Sequence, residues 1–242
     1  MVTLTIDGRE VQAEEGAVIL DIAKDNNIYI PALCSHEGVT PYGACRLCMV
    51  EIGQRGRERL VASCLYPVEE GLTVKTNTER VNEVRRMVAE LLLARCPDSE
   101  VIQDLASKLG VDKPTFRLEE GNRRCILCAL CARVCQEVVG VSAISLVNRG
   151  VDRRLATPFD TDYSEACIGC GSCVYVCPTH AITMEDTGER RLIKWPHNRM
   201  EFKLKKCKIC GNYWAPEKQI EYIAKISGTL SGEYDVCPNC RQ

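Results

Sequence analysis

Sixteen of the seventeen cysteines in this 242-residue chain fall into four complete sets of four. The chain is too long for a small disulfide scaffold, and no basic segment followed by an apolar stretch marks it for secretion. In a reducing compartment, cysteines grouped in this way are typical of metal ligands rather than of disulfides. The pattern therefore predicts metal-binding sites and a cytoplasmic location.

Two of the sets share the spacing C-x2-C-x2-C-x3-C, and Pro178 directly follows the second run. Two-residue spacers let three thiolates converge on one cluster, while the fourth cysteine leaves on the next helix and binds the neighbouring cluster. This spacing is typical of bacterial ferredoxins with two [4Fe–4S] clusters, whereas zinc sites use pairs of cysteines. The predicted ligands of the first cluster are Cys125, Cys128, Cys131 and Cys177. The predicted ligands of the second are Cys167, Cys170, Cys173 and Cys135.

The N-terminal set has the spacing C-x10-C-x2-C-x15-C, which differs from that of plant-type [2Fe–2S] ferredoxins. Its surroundings nevertheless predict a β-grasp domain with a hairpin turn at Asp7-Gly8 and a helix at residues 17–25. The predicted strands are residues 2–6, 10–13, 47–52, 59–63 and 72–75. The predicted [2Fe–2S] ligands are Cys34, Cys45, Cys48 and Cys64.

The segment CSHEGVTPYGACRLCMVE at residues 34–51, together with Cys64, resembles the N-terminal ferredoxin domain of the large iron–sulfur subunit of respiratory complex I. The same module occurs in the diaphorase part of NAD-linked hydrogenases. In those relatives a linker region and a paired cubane domain follow, so the resemblance covers residues 1–190, about four-fifths of this chain. The family often carries a further cluster with one histidine and three cysteines between the two modules. Here that region contains Cys96 alone, so we expect the further cluster to be absent. We expect Cys96 to be a small buried residue, and a surface-exposed redox thiol is the alternative.

The region between the modules predicts two helices. Residues 78–95 place an apolar face on a helix that Thr78 can cap, and residues 98–109 form a second helix that ends at Gly110. The apolar face comprises Val81, Val84, Val88, Leu91 and Leu92.

The C-terminal set consists of two C-x2-C turns separated by 26 residues. Such turns each aim two thiolates at one point and together make a tetrahedral site, which favours zinc; rubredoxin-like iron and a [2Fe–2S] cluster are the alternatives. Residues 216–226 suit a helix. The preceding basic stretch, residues 190–208, is either a solvated linker or a docking surface for an acidic partner. The predicted metal ligands are Cys207, Cys210, Cys237 and Cys240.

These features predict an α+β chain with four parts. They are a β-grasp [2Fe–2S] ferredoxin domain at residues 1–78, a helical linker at 79–118, a bacterial 2[4Fe–4S] ferredoxin-like domain at 119–190, and a basic linker with a four-cysteine ribbon at 191–242.

The sequence contains no nucleotide-binding glycine motif, haem motif or catalytic triad, so no catalytic residue is predicted. The net charge of −2 argues against nucleic-acid binding, and no apolar run approaches the roughly 20 residues of a membrane span. The clusters instead predict a non-catalytic electron-transfer subunit.

The resemblance implies three kinds of partner: an FMN- and NADH-binding flavoprotein subunit, a thioredoxin-like [2Fe–2S] subunit and a hydrogenase. The complex would be soluble, and relatives of this kind include electron-bifurcating enzymes that also use soluble ferredoxin. The alternatives are the same relay in an NAD-linked formate dehydrogenase or transhydrogenase complex, and a free multi-cluster ferredoxin carrier.

Overall fold

The computed structural model describes residues 1–54, 56–118, 123–161 and 164–241. The chain divides into two compact units, Met1–Cys128 and Ala129–Gln242. The predicted boundary between the helical linker and the cubane domain lies between residues 118 and 119, and residue 119 is outside the described residues. Within the described ranges, every helix is too short or too polar to cross a membrane.

A five-stranded sheet forms the core of the first unit, with strand order β2-β1-β5-β3-β4. Its strands and first helix are β1 (Val2–Ile6), β2 (Arg9–Ala13), α1 (Ile19–Asp25), β3 (Met49–Gln54), β4 (Arg57–Ala62) and β5 (Thr73–Lys75). The β1–β5 pair is parallel and the other pairs are antiparallel. All five predicted strands and the helix are present, which confirms the β-grasp fold.

The tight turn between β1 and β2 has positive φ at Asp7 and Gly8, 48° and 81°. Positive φ at both central residues matches the right-handed twist of the flanking strands, which is why Asp-Gly is favoured there. The Asp7 carboxylate also accepts hydrogen bonds from the backbone N–H and the hydroxyl of Thr76, at 2.7 and 2.6 Å. The turn therefore also holds the chain directly after β5.

Two helices follow, α2 (Glu79–Arg95) and α3 (Glu100–Lys108). The Thr78 hydroxyl accepts a hydrogen bond from the Val81 N–H at 3.2 Å, so the predicted cap is confirmed. The predicted apolar face of α2 is wrong in part, because Leu91 is 47% exposed and the buried stripe also contains Arg85. That stripe consists of Val81, Arg85, Ala89 and Leu93.

The second unit begins with α4 (Leu130–Arg133), which continues as a π-helical turn at Val134–Val138. Its remaining main elements are β6 (Ser145–Val147), β7 (Arg154–Ala156), α5 (Ser172–Tyr175), β8 (Thr183–Thr187), β9 (Arg190–Trp195), β10 (Asn198–Lys206), β11 (Tyr213–Pro216) and α6 (Glu217–Ser227). Short 3-10 turns occur at Gly150–Asp152, Pro158–Asp160, Ser231–Tyr234 and Pro238–Cys240. Strands β11-β10-β9-β8 form one antiparallel sheet, and β6 pairs with β7.

Residues 190–208, predicted to be a basic linker or a docking surface, contain a β-hairpin of this sheet, β9–β10. Along β10, buried Met200, Phe202 and Leu204 alternate with exposed charged residues. Several lysines of the stretch make ion pairs within the chain: Lys203 with Glu217 at 3.0 Å, and Lys205 and Lys208 with Asp235. These pairs leave less unpaired positive charge for a partner than the sequence suggests.

Candidate metal centres

The N-terminal cysteines converge in the β-grasp unit. Cys34, Cys45, Cys48 and Cys64 are each no more than 6% exposed. The Cys48 and Cys64 sulfurs are 3.4 Å apart, and the Cys45 N–H donates to the Cys34 sulfur at 3.4 Å. Cys48 directly precedes β3 and Cys64 closely follows β4, so the antiparallel pair of strands brings these two cysteines together.

Hydrogen bonds among these four thiols, called the β-grasp cage below, lower the pKa values of two of them and raise those of the other two. Hydrogen bonds from Cys45 and then Cys64 lower the pKa of Cys34 to about 2, and a hydrogen bond from Cys64 lowers the pKa of Cys48 to about 6. The pKa values of Cys45 and Cys64 rise, first because each donates a hydrogen bond to Cys34. Four thiolates this close repel one another, so a fully ionised set needs a cationic centre among them. The donor set fits [2Fe–2S] iron.

Arg85 supports this cage from α2. The side chain is buried, and its guanidinium donates to the carbonyls of Leu47 at 3.2 Å and Met49 at 2.8 Å. These two residues flank Cys48, a predicted ligand. Burial lowers the pKa of Arg85, while the electrostatic attraction to nearby Cys48 partly raises it again. A buried cation beside the thiolates offsets part of their charge.

The two cubane runs form loops of the same shape. Residues at equivalent positions have positive φ: 52° at Leu127 and 64° at Ala129 in the first loop, and 70° at Gly169 and 80° at Gly171 in the second. A short helix begins directly after each loop, α4 in the first and α5 in the second. In the second loop, this turn places Cys167, Cys170 and Cys173 around one cavity.

A cavity in the second unit is lined by all four cysteines predicted for the second cubane: Cys135, Cys167, Cys170 and Cys173. Its other walls are mostly apolar, and Trp195 closes part of it. The π-helical turn carries Cys135 to this cavity, and the Cys135 sulfur accepts a hydrogen bond from the Ala143 N–H at 3.2 Å. The structure thus brings the cross-run set together, as the ferredoxin spacing predicts.

Burial raises the pKa of the Cys135 thiol, and it raises the pKa values of Cys167 and Cys173 to about 11 and about 12. These cysteines would remain protonated without a metal, since an apolar wall cannot stabilise thiolates. Iron bound in the cavity would supply the compensating charge. The donor set and the apolar enclosure fit a cubane.

Arg191 on β9 fixes the second loop. Its side chain is 10% exposed and donates to the Gly169 carbonyl at 3.0 Å and to both carboxylate oxygens of Asp186 at 2.7 and 2.8 Å. The hydrogen bonds from Arg191 lower the pKa of Asp186. The hairpin that follows the cluster module therefore holds the loop between Cys167 and Cys170.

The other cubane set shows local contacts around its members. The Leu127 N–H donates to the Cys125 sulfur at 3.4 Å, and the Cys177 sulfur lies 3.9 Å from the Thr179 hydroxyl. Cys128 is buried, while Cys131 and Cys177 are half-buried and pack against the core of the second unit.

The C-terminal cysteines form a compact site with ligand atoms within 4.8 Å of one another: Cys207, Cys210, Cys237 and Cys240. The Cys237 N–H donates to the Cys207 sulfur at 3.3 Å. This hydrogen bond makes the largest contribution to lowering the pKa of Cys207, to about 6. A hydrogen bond with Cys237 raises the pKa of Cys240 to about 12. Cys210 is exposed, so the site lies near the surface. Four sulfurs at this spacing fit a tetrahedral ion.

Three supporting residues were not found from the sequence: Arg85, Arg191 and Trp195. Arg85 interrupts an apolar helix face at a position that should be buried, which is a readable signal of a partnered charge. Arg191 and Trp195 lie in the stretch taken as a linker. The alternation of apolar and charged residues in MEFKLK, residues 200–205, could have revealed the hairpin. Cys96 is fully buried, as predicted.

Comparison with known families agrees with these sites. Residues 1–79 match the 2Fe–2S iron–sulfur cluster binding domain, and residues 162–183 match the 4Fe–4S binding domain. These matches establish [2Fe–2S] and [4Fe–4S] clusters as the cofactors of the two modules.

Relatives and a solved structure extend the comparison. The chain is 36% identical over 204 residues to the NADPH–Fe(3+) oxidoreductase subunit alpha of Geobacter sulfurreducens, covering 74% of this chain and 24% of that protein. It is 35% identical over 211 residues to the NADP-reducing hydrogenase subunit HndD of Solidesulfovibrio fructosivorans, covering 75% of this chain and 36% of that protein. The chain thus spans about a quarter to a third of the length of these curated relatives.

A chain in the crystal structure of an NAD+-reducing [NiFe]-hydrogenase in the H2-reduced state is 30% identical, with a TM-score of 0.58. The match covers 68% of this chain and 82% of that one. Complex I subunits of 78 and 75 kDa also match, over 207 and 206 residues. The chain belongs to the family of iron–sulfur subunits that NAD(P)-linked hydrogenases share with the large iron–sulfur subunit of complex I.

Proposed function

We propose that the chain is an electron-transfer subunit that relays electrons through one [2Fe–2S] and two [4Fe–4S] clusters. The observation that carries this proposal is the convergence of cysteines from both cubane runs on one cavity of the second unit. A fourth ligand drawn from the other run is the arrangement of ferredoxins with two clusters. The chemistry belongs to the clusters, while the chain positions them and sets their potentials.

The proposed ligand sets follow from this arrangement. The β-grasp cage would hold the [2Fe–2S] cluster through Cys34, Cys45, Cys48 and Cys64. The cavity would hold one cubane through Cys135, Cys167, Cys170 and Cys173. The spacing of the runs assigns the other cubane to Cys125, Cys128, Cys131 and Cys177.

The two ends of the relay are proposed from the relatives. The names of the similar proteins contain both NAD(P) and hydrogenase. An FMN- and NADH-binding subunit would therefore exchange electrons with one end of the relay. A hydrogenase would exchange electrons with the other end. A thioredoxin-like [2Fe–2S] subunit and soluble ferredoxin, with electron bifurcation, complete the proposed complex. Its proposed location is the cytoplasm.

We also propose zinc at the C-terminal site. Two C-x2-C turns with four sulfurs within 4.8 Å support a closed tetrahedral site, and zinc there would stabilise the fold without a redox role. Rubredoxin-like iron is the competing occupant, because it uses the same knuckles.

Metal analysis of the chain, purified anaerobically, tests the ligand sets. We expect about ten iron atoms and about one zinc per chain. Cys135→Ser should perturb the electron paramagnetic resonance (EPR) signal of the cluster held by the Cys167 run. Cys96→Ser is the control, since Cys96 is fully buried, more so than the half-buried Cys135, but lies outside the four sets. Altered signals from the Cys125-run cluster alone would exclude the cross-run arrangement, and extra iron without zinc would exclude the zinc proposal.

Anaerobic purification of the tagged native chain from its own cells tests the partners. We expect a flavoprotein subunit and a hydrogenase subunit to co-purify and to be identified by mass. A flavoprotein with a formate dehydrogenase or a transhydrogenase would keep the relay and change its terminal enzyme. A chain that purifies alone with all its clusters would be a free carrier.

A further inference from the structure

Trp195 lies at the end of β9 and forms part of the wall of the cysteine cavity. It is 7% exposed and belongs to the hydrophobic core that also contains Cys173. Its indole nitrogen is buried and makes no hydrogen bond of normal distance and angle within the described part of the chain, although its contact with the Cys173 thiol opposes the rise in the pKa of that thiol. A buried indole N–H can only donate, and in folded proteins such a group usually has a partner.

The Cys173 thiol is a weak acceptor, and the group that would fill the cavity offers stronger ones. Apart from the cysteines and Ser172, the lining residues around Trp195 are apolar or glycine. A cluster bound by these cysteines would bring its sulfurs, which carry negative charge, to the same wall. Hydrogen bonds to such sulfurs stabilise the more negative, reduced state of a cluster, so they raise its reduction potential.

We propose that the Trp195 indole N–H donates a hydrogen bond to a sulfur of the cubane held by Cys135, Cys167, Cys170 and Cys173, either an inorganic sulfide or a ligand thiolate. Trp195 is thus a positioning residue that raises the potential of this cubane relative to the other one. The inference rests on the ligand set under Proposed function. It concerns one cubane because the Trp195 side chain lines its cavity.

The chain provides its own control. Trp214 is the second of two tryptophans in the sequence, and its indole nitrogen is likewise buried without a normal hydrogen bond among the described residues. It lies on β11 and does not line the cysteine cavity. Replacing either residue by Phe removes an indole N–H from an aromatic side chain, but only Trp195→Phe should affect the cubane.

The test is a redox titration of the holoprotein, followed by EPR, for the native chain and the variants Trp195→Phe and Trp214→Phe. In Trp195→Phe, we expect full iron content and a negative shift of one cubane potential. A tenfold fall in the one-electron reduction equilibrium constant is about 59 mV, and we expect a shift of this order. The shifted signal should be the one that Cys135→Ser perturbs. Trp214→Phe should leave both cubane potentials unchanged.

A second readout is independent of any change in folding. Native protein with 15N in the indole of tryptophan should show a nitrogen hyperfine coupling in pulsed EPR of the reduced cubane. That coupling should disappear in Trp195→Phe and remain in Trp214→Phe. If Trp195→Phe fails to fold or to hold iron, the coupling in the labelled native protein decides the question, and its absence overturns the inference.

The possible failures are distinct. Two cubanes in the native protein, with unchanged potentials in an iron-replete Trp195→Phe variant, would overturn the role of Trp195 and leave the ligand sets intact. Native protein that lacks a second cubane, or a Cys135→Ser variant that leaves the Cys167-run cluster unaffected, would overturn the proposed ligand set itself.

Discussion

The two cubane loops have the same backbone conformation but different side chains. In the first loop, the two positions with positive φ are Leu127 and Ala129, and in the second they are Gly169 and Gly171. A residue with a Cβ loses about 1–2 kcal/mol in the left-handed region, whereas glycine adopts it freely. The first loop adopts this conformation without glycine, so residue preference alone does not account for its shape.

Packing gives a second explanation for the presence of glycine at these two positions of the second loop. A Cβ on Gly169 would lie 2.7 Å from Cγ of Phe202 on β10, and a Cβ on Gly171 would lie 2.8 Å from the sulfur of Met184 on β8. The sheet that follows the cluster module therefore occupies the space that side chains would need. The second loop packs against this sheet through these contacts. The hydrogen bond from Arg191 to the Gly169 carbonyl and the Trp195 side chain, which lines the cysteine cavity, add to the contact.

The largest expected effect comes from Gly169→Ala. The new methyl group would clash with the ring of Phe202 and would also be strained at a φ of 70°, so we expect destabilisation of about 3 kcal/mol. Anaerobic denaturant titration, followed by the visible absorbance of the clusters and by circular dichroism, measures it. Gly188→Ala separates the two causes, because Gly188 has a φ of 57° with no atom within 4 Å of its Cβ position. Equal losses in both variants would show that packing against Phe202 is unimportant.

Arg191→Met comes next. It removes the hydrogen bond to the Gly169 carbonyl and both bonds to Asp186 while keeping the apolar stem, so we expect a loss of about 2 kcal/mol and faster release of the second cubane. Arg190→Met is the matched control, since its ion pair with Glu201 is exposed and should contribute less than about 1 kcal/mol. Release of both cubanes at the native rate in Arg191→Met would contradict the anchoring role of this side chain.

A smaller effect with the opposite sign is expected in the first loop. Ala129→Gly relieves backbone strain of about 1–2 kcal/mol, which exceeds the roughly 0.8 kcal/mol of methyl burial that is lost. The variant should therefore be slightly more stable than the native protein in the same titration. Ala132→Gly, inside α4, should instead destabilise by about 0.5–1 kcal/mol. Destabilisation by Ala129→Gly as large as that of Ala132→Gly would show that the first loop is not strained.

The sequence could predict the parts of the fold that have local signals. Cysteine spacing grouped the four cysteines that line one cavity, and alternation with a glycine turn predicted the β-grasp strands. The buried stripe of α2 was misplaced, because Arg85 is buried to hold the carbonyls beside Cys48 and hydrophobicity alone cannot report that role. The β9–β10 hairpin was missed because its outer face is basic, although Met200, Phe202 and Leu204 alternate inward. The roles of Arg191 and Trp195 depend on tertiary contacts of that hairpin, so they could not be predicted without it.

The smallest expected effect is the pH dependence contributed by Asp186. Arg191 lowers the pKa of this carboxyl in the folded chain, so its contribution to stability is present above the ordinary aspartate pKa of about 3.9 and is lost as the pH falls through the lower folded value. Because the Asp186 side chain is 41% exposed, solvent screening should hold that contribution below about 1 kcal/mol at pH 7. Asp186→Asn should therefore be slightly less stable than the native protein at pH 7, and the difference should shrink as the pH falls below about 3.9. Comparing the two proteins at each pH cancels the acid lability that their clusters share. A difference that stays constant well below that pH would mean that Asp186 acts through its shape or through neutral hydrogen bonds rather than through its charge.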